Sequence, residues 1–212
     1  MDHFQGVQEL SEVFPVKAFA LPGVYRGLPE TPKGARLLRR GEVIRISDEM
    51  SVKVLWPESE ELPGGGTEAE NSDENLLNGV YRIDYRDIRI LVTGDLLEEG
   101  EADMVKYYAG TQELRCDVLK VAHHGSHSSS SEAFLDAVRP RAAVIQVGEK
   151  NRYGHPHQET LEKLLKPINK AELTETLEKL KRRNIPVYRN DRHGAIGLRV
   201  RRNKILIDRM IN

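Results

Sequence analysis

Three histidines stand close together in the segment CDVLKVAHHGSHSSSS, which runs from Cys116 to Ser131. His123, His124 and His127 are three of only seven histidines in the chain of 212 residues, and they follow a short apolar run typical of a buried strand. Imidazole can bind a metal ion or exchange a proton near neutral pH. A lone histidine in a polar loop is most simply a solvated residue, whereas a cluster at the end of a strand indicates a candidate functional site.

Similar groups follow other predicted turns. Asp2 and His3 stand at the start of the sequence, Asp95 follows the run ILVTG, and His155 lies within NRYGHPH. Carboxylate and imidazole together suit zinc, manganese or iron(II), and a carboxylate such as Asp95 can bridge two ions. Two such ions can activate water and hold a phosphoryl group. Alternatively, Asp95 caps a helix that begins near Leu96, an ordinary role for an aspartate after a glycine.

These groups must be positioned by strands that alternate with helices. We predict strands over 42–46, 51–56, 80–85, 88–93, 118–121, 142–147, 187–189, 195–201 and 205–207, and helices over 96–108, 131–138 and 159–183, the last interrupted at Pro167. The pair Arg86-Asp87 predicts a hairpin between two of the strands. Residues 57–73 are rich in Gly, Glu, Ser and Pro and are interpreted as a mobile loop. The alternation of elements predicts a layered α/β core.

The charge balance argues against a general affinity for nucleic acids or membranes. Lys and Arg total 32 against 33 for Asp and Glu, so a polyanionic substrate would have to be bound locally. The basic run of Arg199, Arg201, Arg202 and Lys204 is more typical of a guarded edge strand than of a nucleic-acid site. The single cysteine, Cys116, cannot form an internal disulfide and is predicted to be buried. We find no apolar run of membrane-spanning length and no signal peptide, and therefore expect a cytoplasmic chain.

Three segments taken together resemble a known family. Gly94-Asp95 after an apolar strand, then DVLKVAHHGSHSSS, then AVIQVGEKNRYGHP resemble the metallo-β-lactamase-fold hydrolase domain at the C-terminus of ComEC-type DNA-uptake proteins and its free-standing relatives. The resemblance extends from Asp2 to about Val200. It implies an α/β fold with four layers, the αββα sandwich of the metallo-β-lactamases, formed by residues 1–212 as a single domain.

The resemblance also implies a site with two divalent ions, zinc or manganese, in which Asp95 is the bridging carboxylate. The implied metal ligands are Asp2, His3, Asp95, His155 and His124; the implied catalytic residues are His123, His124 and Asp2; and the implied substrate-binding residues are Ser126, Ser128 and Asn151. Which of the three later histidines contacts metal directly stays open, because neighbouring residues on an extended strand point to opposite faces. His127 is a weaker candidate, and His157 and His193 are predicted to be surface residues.

One part of the family pattern has no counterpart in this sequence. The family motif is H-x-H-x-D-H followed by a glycine-containing turn, and here Asp2, His3 and Gly6 match only its last two ligands and the turn. Met1 then occupies the variable position before the aspartate. We therefore expect the chain to be truncated within the motif and to lack the strands that precede it, either because the start is assigned too late or because the chain is a fragment.

The resemblance implies a metal-dependent hydrolase, a phosphodiesterase or nuclease linked to DNA uptake. Its implied partners are single-stranded DNA or another phosphoester substrate, and a membrane DNA-uptake channel. Membership in a longer membrane protein would make the domain extracytoplasmic or membrane-associated instead of cytoplasmic. The alternative is a non-catalytic fragment or interaction module of a DNA-uptake protein, because the H-x-H ligands are absent.

Overall fold

A computed structural model describes residues 11–16, 18–22, 34–57, 78–165, 185–201 and 204–210. Its strands are β1 (Ala20–Pro22), β2 (Arg36–Leu38), β3 (Val43–Arg45), β4 (Met50–Trp56), β5 (Val80–Tyr85), β6 (Ile88–Val92), β7 (Val118–Lys120), β8 (Ala142–Ile145), β9 (Val187–Arg189), β10 (Ala195–Arg201) and β11 (Lys204–Met210). Its helices are α1 (Glu98–Tyr107), α2 (Glu132–Val138), α3 (Gln158–Leu165) and α4 (Asn190–His193), with a 3-10 turn at Ala122–Gly125. Within these described ranges no helix has the length and apolarity needed to cross a membrane.

Seven of the strands form one mixed sheet in the order β3-β4-β5-β6-β7-β8-β9. The first four strands pair antiparallel, whereas β6 to β9 pair parallel. Parallel neighbours need a crossover connection, and α1 and α2 provide it between β6, β7 and β8. Because these three strands run in the same direction, their carboxyl ends meet at one edge of the sheet, where ligands commonly bind in α/β proteins.

The core lies between the central strands and the helices. Leu91, Leu119 and Ile145 contribute fully buried side chains from β6, β7 and β8, and Met104 and Phe134 contribute theirs from α1 and α2. Strands of a parallel sheet that are covered by helices read as continuous apolar runs, which is why these strands could be predicted from the sequence. The packed core makes the sheet edge a rigid support for the loops that follow each strand.

Most predicted elements agree with the structure within two residues. The hairpin around Arg86-Asp87 is confirmed, with Tyr85 opposite Ile88 in the antiparallel pair. The interpretation of Asp95 as a helix cap is wrong, because α1 begins at Glu98 and its N-cap position is Leu97. The predicted mobile loop at 57–73 lies outside the described residues except for residue 57. The predicted helix at 159–183 lies outside them from residue 166 onward.

The prediction that Cys116 is buried is confirmed. The side chain lies just before β7 and is 7% exposed, and burial, followed by the charge of Asp117, raises the pKa of its thiol to about 12. The thiolate is the reactive species, so at pH 8 alkylation of the folded protein by iodoacetamide should be about a thousandfold slower than that of the unfolded chain. Mass spectrometry of time points taken with and without guanidinium measures both rates. Equal rates would contradict this burial.

Candidate active site

Asp95 lies in the turn that follows β6. Gly94 has a φ of 51°, and a Cβ atom at this position would come within 2.9 Å of the Asn78 side chain, so the turn requires glycine. The hydroxyl of Thr93 donates a hydrogen bond of 2.7 Å to the carbonyl of Lys120, which ties the turn to β7. Asp95 itself is 7% exposed. The carboxylate is therefore held in a buried position at the carboxyl end of the central strands.

His123 and His124 lie in the 3-10 turn after β7 and not on an extended strand. Both have left-handed backbone conformations, with φ and ψ of 46° and 44° for His123 and 54° and 18° for His124. The expectation that they alternate between two faces of a strand is therefore wrong. Each left-handed residue other than glycine costs on the order of 1–3 kcal/mol, and such residues cluster at functional sites. The backbone N–H of His123 donates to the carbonyl of Gly94 at 3.1 Å, which joins the two turns.

The structure brings four of the predicted site residues together. The Nε2 atom of His124 is 3.8 Å from Oδ1 of Asp95. The ring centroid of His155 lies 5.5 Å from that of His123 and 6.3 Å from that of His124. These residues come from three different loops, and they meet because the strands before them are parallel neighbours.

The backbone carbonyl of Gln146 fixes the tautomer of His124. This carbonyl, which follows β8, lies 2.6 Å from Nδ1 of His124. A carbonyl can only accept a hydrogen bond, so Nδ1 carries the hydrogen and the neutral ring has its lone pair on Nε2. This is the arrangement in which a histidine binds a metal ion or accepts a proton through Nε2 while a second group orients the ring. No local sequence pattern indicates this contact.

His155 is held by the side chain of Asn151. The Asn151 Oδ1 atom accepts the backbone N–H of His155 at 2.9 Å, and its Nδ2 donates to the carbonyls of His155 at 2.8 Å and Gly148 at 3.0 Å. Burial, followed by the neighbouring histidines, lowers the pKa of His155, while Asp95 opposes the shift. The imidazole therefore favours the neutral form, which is the form that binds metal ions. A contact of Asn151 with substrate stays a prediction.

The His155 loop packs directly on the 3-10 turn. Gly125 has a φ of 85°, and a Cβ atom there would lie 2.6 Å from the Cβ of Pro156. The carbonyl of Gly125 accepts the backbone N–H of His157 at 2.9 Å. Only glycine allows this approach, so Gly125 is what lets His155 come close to the histidines of the turn.

Ser126 and Ser128 lie directly after the turn. Their hydroxyl oxygens are 3.0 Å apart, and Ser126 is 4% exposed whereas Ser128 is half-buried. The carbonyl of Ser126 accepts hydrogen bonds from the hydroxyls of Ser129 at 3.2 Å and Thr160 at 2.8 Å, the second from α3. These hydrogen bonds order residues 126–131, here called the serine loop, beside the candidate site.

Glu101, which the sequence pattern did not single out, holds the far end of the serine loop at Ser130 and Ser131. This residue of α1 is 0% exposed, and its carboxylate accepts the backbone N–H groups of Ser130 at 2.6 Å and Ser131 at 2.7 Å. Burial raises the pKa of Glu101, and the two N–H groups oppose that shift. In the sequence Glu101 is one of several acidic residues in a helix, which is typical of a solvated face.

Lys120 is a second residue that was missed. Its Nζ atom donates to the carbonyl of Gly94 at 3.0 Å and lies 3.9 Å from Oδ1 of Asp95. Burial lowers the pKa of Lys120, whereas Asp95 raises it. The signal in the sequence was a lysine between Leu119 and Val121, two residues that are both buried. Its positive charge partly balances the buried carboxylate.

The remaining histidines have different positions. His127 is exposed, and its backbone N–H donates to Nδ1 of His157 at 2.9 Å. The ring centroid of His157 lies 4.9 Å from that of His155, so this half-buried residue borders the cluster. His193 lies on α4, where its Nδ1 atom accepts the backbone N–H of Arg189 at 3.0 Å. His193 is half-buried, and its contact is with the backbone close to it in sequence.

The carboxylate and imidazole groups of the candidate site are suitable metal ligands, but they do not form a complete metal site by themselves. Among the described residues, no three Cys, His, Asp or Glu side chains are arranged to hold a metal ion. Asp95, His124 and His155 thus do not fit an ion without further donors. The other predicted ligands, Asp2 and His3, and the turn residue Gly6 lie outside the described residues.

Comparison with known proteins identifies the family. The sequence pattern of the metallo-beta-lactamase superfamily matches residues 1–149. The chain is 29% identical over 211 residues to ComE operon protein 3 of Bacillus subtilis, covering 93% of this chain and 23% of that protein. It is 38% identical over 134 residues to competence protein ComA of Neisseria gonorrhoeae, covering 63% of this chain and 18% of that protein.

A third relative is recombination protein 2 of Haemophilus influenzae. Its identity to this chain is 38% over 98 residues, covering 46% of this chain and 11% of that protein. The chain therefore spans less than a quarter of the length of each of these three curated relatives, the largest share being 23%.

Proposed function

Because this chain belongs to the metallo-beta-lactamase superfamily, we propose that it is a metal-dependent hydrolase of phosphodiester bonds, a nuclease that acts in DNA uptake. The observation that carries the proposal is the convergence of Asp95 with His123, His124 and His155 at the carboxyl ends of three parallel strands. The names competence protein and recombination protein, carried by two relatives, support the choice of DNA as the substrate.

The proposed metal ligands are Asp95, His155 and Nε2 of His124, completed by Asp2 and His3. Carboxylate and imidazole donors of this kind select zinc or manganese, and the proposed site holds two ions. Such ions, when bound, polarise a phosphoryl oxygen and stabilise the charge that develops on it.

The chain's own residues have separate tasks in this proposal. The carbonyl of Gln146 orients His124 so that Nε2 serves as the metal ligand; His123 is then the residue that accepts or returns a proton, and Asp2 completes the catalytic group. The hydroxyls of Ser126 and Ser128 donate hydrogen bonds to phosphate oxygens. Asn151 fixes the backbone of His155 and adds a contact to the substrate.

Metal content and DNA hydrolysis test the proposal together. We expect the purified chain to retain zinc or manganese in stoichiometric amount by mass spectrometry of the metals and to cleave a labelled single strand. Removal of the metal with a chelator should abolish cleavage, and added Mn²⁺ should restore it, because the proposed hydrolysis depends on a bound ion.

Two histidine variants give the matched comparison. His155→Ala should lose metal, whereas His193→Ala, which alters a histidine on α4, should retain it. A chain that holds no metal and cleaves no DNA even with added Zn²⁺ or Mn²⁺ would overturn the proposal in favour of a non-catalytic interaction module.

A further inference from the structure

A concave region lies at the edge of the sheet opposite the candidate site. It is a groove of about 740 Å³, lined by six arginines and three aspartates together with Gln112 and Cys116. The lining residues thus carry a net charge of +3, whereas the whole chain has a net charge of -1; Glu49 and Glu113, just outside the lining, offset part of this charge by pairing with Arg86 and Arg82. Positive charge is therefore concentrated here, as local recognition of a polyanion requires.

The groove follows the amino ends of the parallel strands. Arg89 lies near the start of β6, Arg115 precedes β7, and Arg139 and Arg141 precede β8. Neighbouring strands are about 4.8 Å apart, so a row from β5 to β8 extends over about 14 Å. The candidate site lies at the other end of the same strands, about 16 Å away along the length of β6.

Three of the six arginines are held in short ion pairs, with distances of 3.3 Å or less. Arg82 is buried and pairs with Asp84 at 2.9 Å and with Glu113 at 3.1 Å. Arg141 pairs with Asp117 at 3.3 Å. Arg86 pairs with Glu49 at 2.9 Å. These pairs fix the walls of the groove.

The other three arginines that line the groove have no short ion pair. The side chain of Arg89 is 44% exposed and forms only a long ion pair, at 3.9 Å, with Asp84, which Arg82 already holds at 2.9 Å. In the part of the chain that the structure describes, neither Arg115 nor Arg139 has a carboxylate at ion-pair distance. Burial and the nearby charge of Arg139 lower the pKa of Arg115. An anion bound between these two guanidinium groups would relieve their repulsion.

We propose that this arginine groove, defined by Arg89, Arg115 and Arg139, binds the phosphate backbone of a single nucleic-acid strand away from the cleaved bond. Among the described residues, every cation that lines the groove is an arginine, whose planar guanidinium group binds two phosphate oxygens at once. The row extends over several strands and so fits successive phosphates better than a single phosphate ion. This inference rests on the proposed function, because it assigns a second contact to the same substrate.

Binding and cleavage must be measured separately to test the groove. The triple variant Arg89→Gln, Arg115→Gln, Arg139→Gln should bind a long fluorescent oligodeoxynucleotide at least about tenfold more weakly than the wild type. Each phosphate contact contributes about 0.7 to the slope of log affinity against log salt for single strands, so the slope should fall by about 2. Cleavage of a dinucleotide, which cannot reach the groove, should be unchanged.

The matched control is the variant Arg36→Gln, Arg199→Gln, Arg201→Gln, which removes the same charge from β2 and β10. It should retain the wild-type affinity, and unfolding curves of both variants verify their folds. Asp87→Asn, which removes a negative charge from the rim, should strengthen binding even if the triple variant fails to fold. If the wild type does not cleave DNA but binds it in a way that depends on the groove, the proposed function is refuted and the proposed binding by the groove is supported.

Three outcomes would overturn the groove itself. The first is equal oligonucleotide affinity of the wild type and the folded triple variant. The second is an equal loss of affinity in the control variant, which would assign binding to general surface charge or to β10. The third is binding of polyglutamate but not of the oligonucleotide, which would assign the groove to an acidic protein.

Discussion

Replacement of Asp95 by asparagine is expected to lower DNA cleavage at least about a thousandfold and to remove most of the bound metal. Asparagine has nearly the same shape, but it lacks the negative charge that holds a divalent ion. Water can hardly replace the lost carboxylate at this position, because the side chain is 7% exposed and lies 3.8 Å from Nε2 of His124. Turnover of a labelled single strand and metal content, both measured on the purified variant, provide the two readouts.

Asp103→Asn is the control for this change. Asp103 lies on α1 and is exposed, so the same loss of charge there should leave cleavage and metal content near the wild-type values. A thermal unfolding curve for each variant separates a loss of chemistry from a loss of folding. Retained turnover in folded Asp95→Asn protein would reject the assignment of Asp95.

The strands near the site could be predicted because buried strands consist mainly of apolar residues. β6, β7 and β8 are short, mainly apolar runs bounded by turn residues. Asp95 and His123 each follow their strand by three residues, and His155 follows β8 by ten. The proximity of Asp95, His123 and His155 then follows from the rule that parallel strands place their carboxyl ends at one edge. α2 was equally readable, since Ser131 is a typical N-cap and its side chain accepts the N–H of Phe134.

The supporting contacts of the site could not be predicted, because they join residues that are distant in sequence. The pairing of Lys120 with Asp95 and that of His124 with Gln146 depend on the alignment of three strands, which local patterns do not specify. The left-handed conformation of two successive histidines was also hidden, since residues other than glycine rarely adopt it. Tertiary contacts, such as the bond from His123 to Gly94, maintain that conformation.

Glu101→Gln is expected to cause the largest loss of stability among the changes considered, about 3 kcal/mol in the free energy of unfolding. The carboxylate accepts two backbone N–H groups with two oxygens, whereas glutamine offers one oxygen and an NH₂ group that can only donate. One N–H would therefore be left buried without an acceptor. The lost bond also supports Ser130, whose φ of 59° is itself unfavourable.

The same substitution on the same helix provides the comparison. Glu99 is exposed on α1, so Glu99→Gln should change the free energy of unfolding by less than about 0.5 kcal/mol. Urea unfolding curves measure both values, and hydrogen exchange at Ser130 and Ser131 should accelerate only in Glu101→Gln. Equal stability of the two variants would mean that the Glu101 carboxylate does not hold the serine loop. A faster exchange together with reduced DNA affinity would instead connect this buried carboxylate to the hydroxyls proposed to bind phosphate, because Ser126 and Ser128 belong to the same loop.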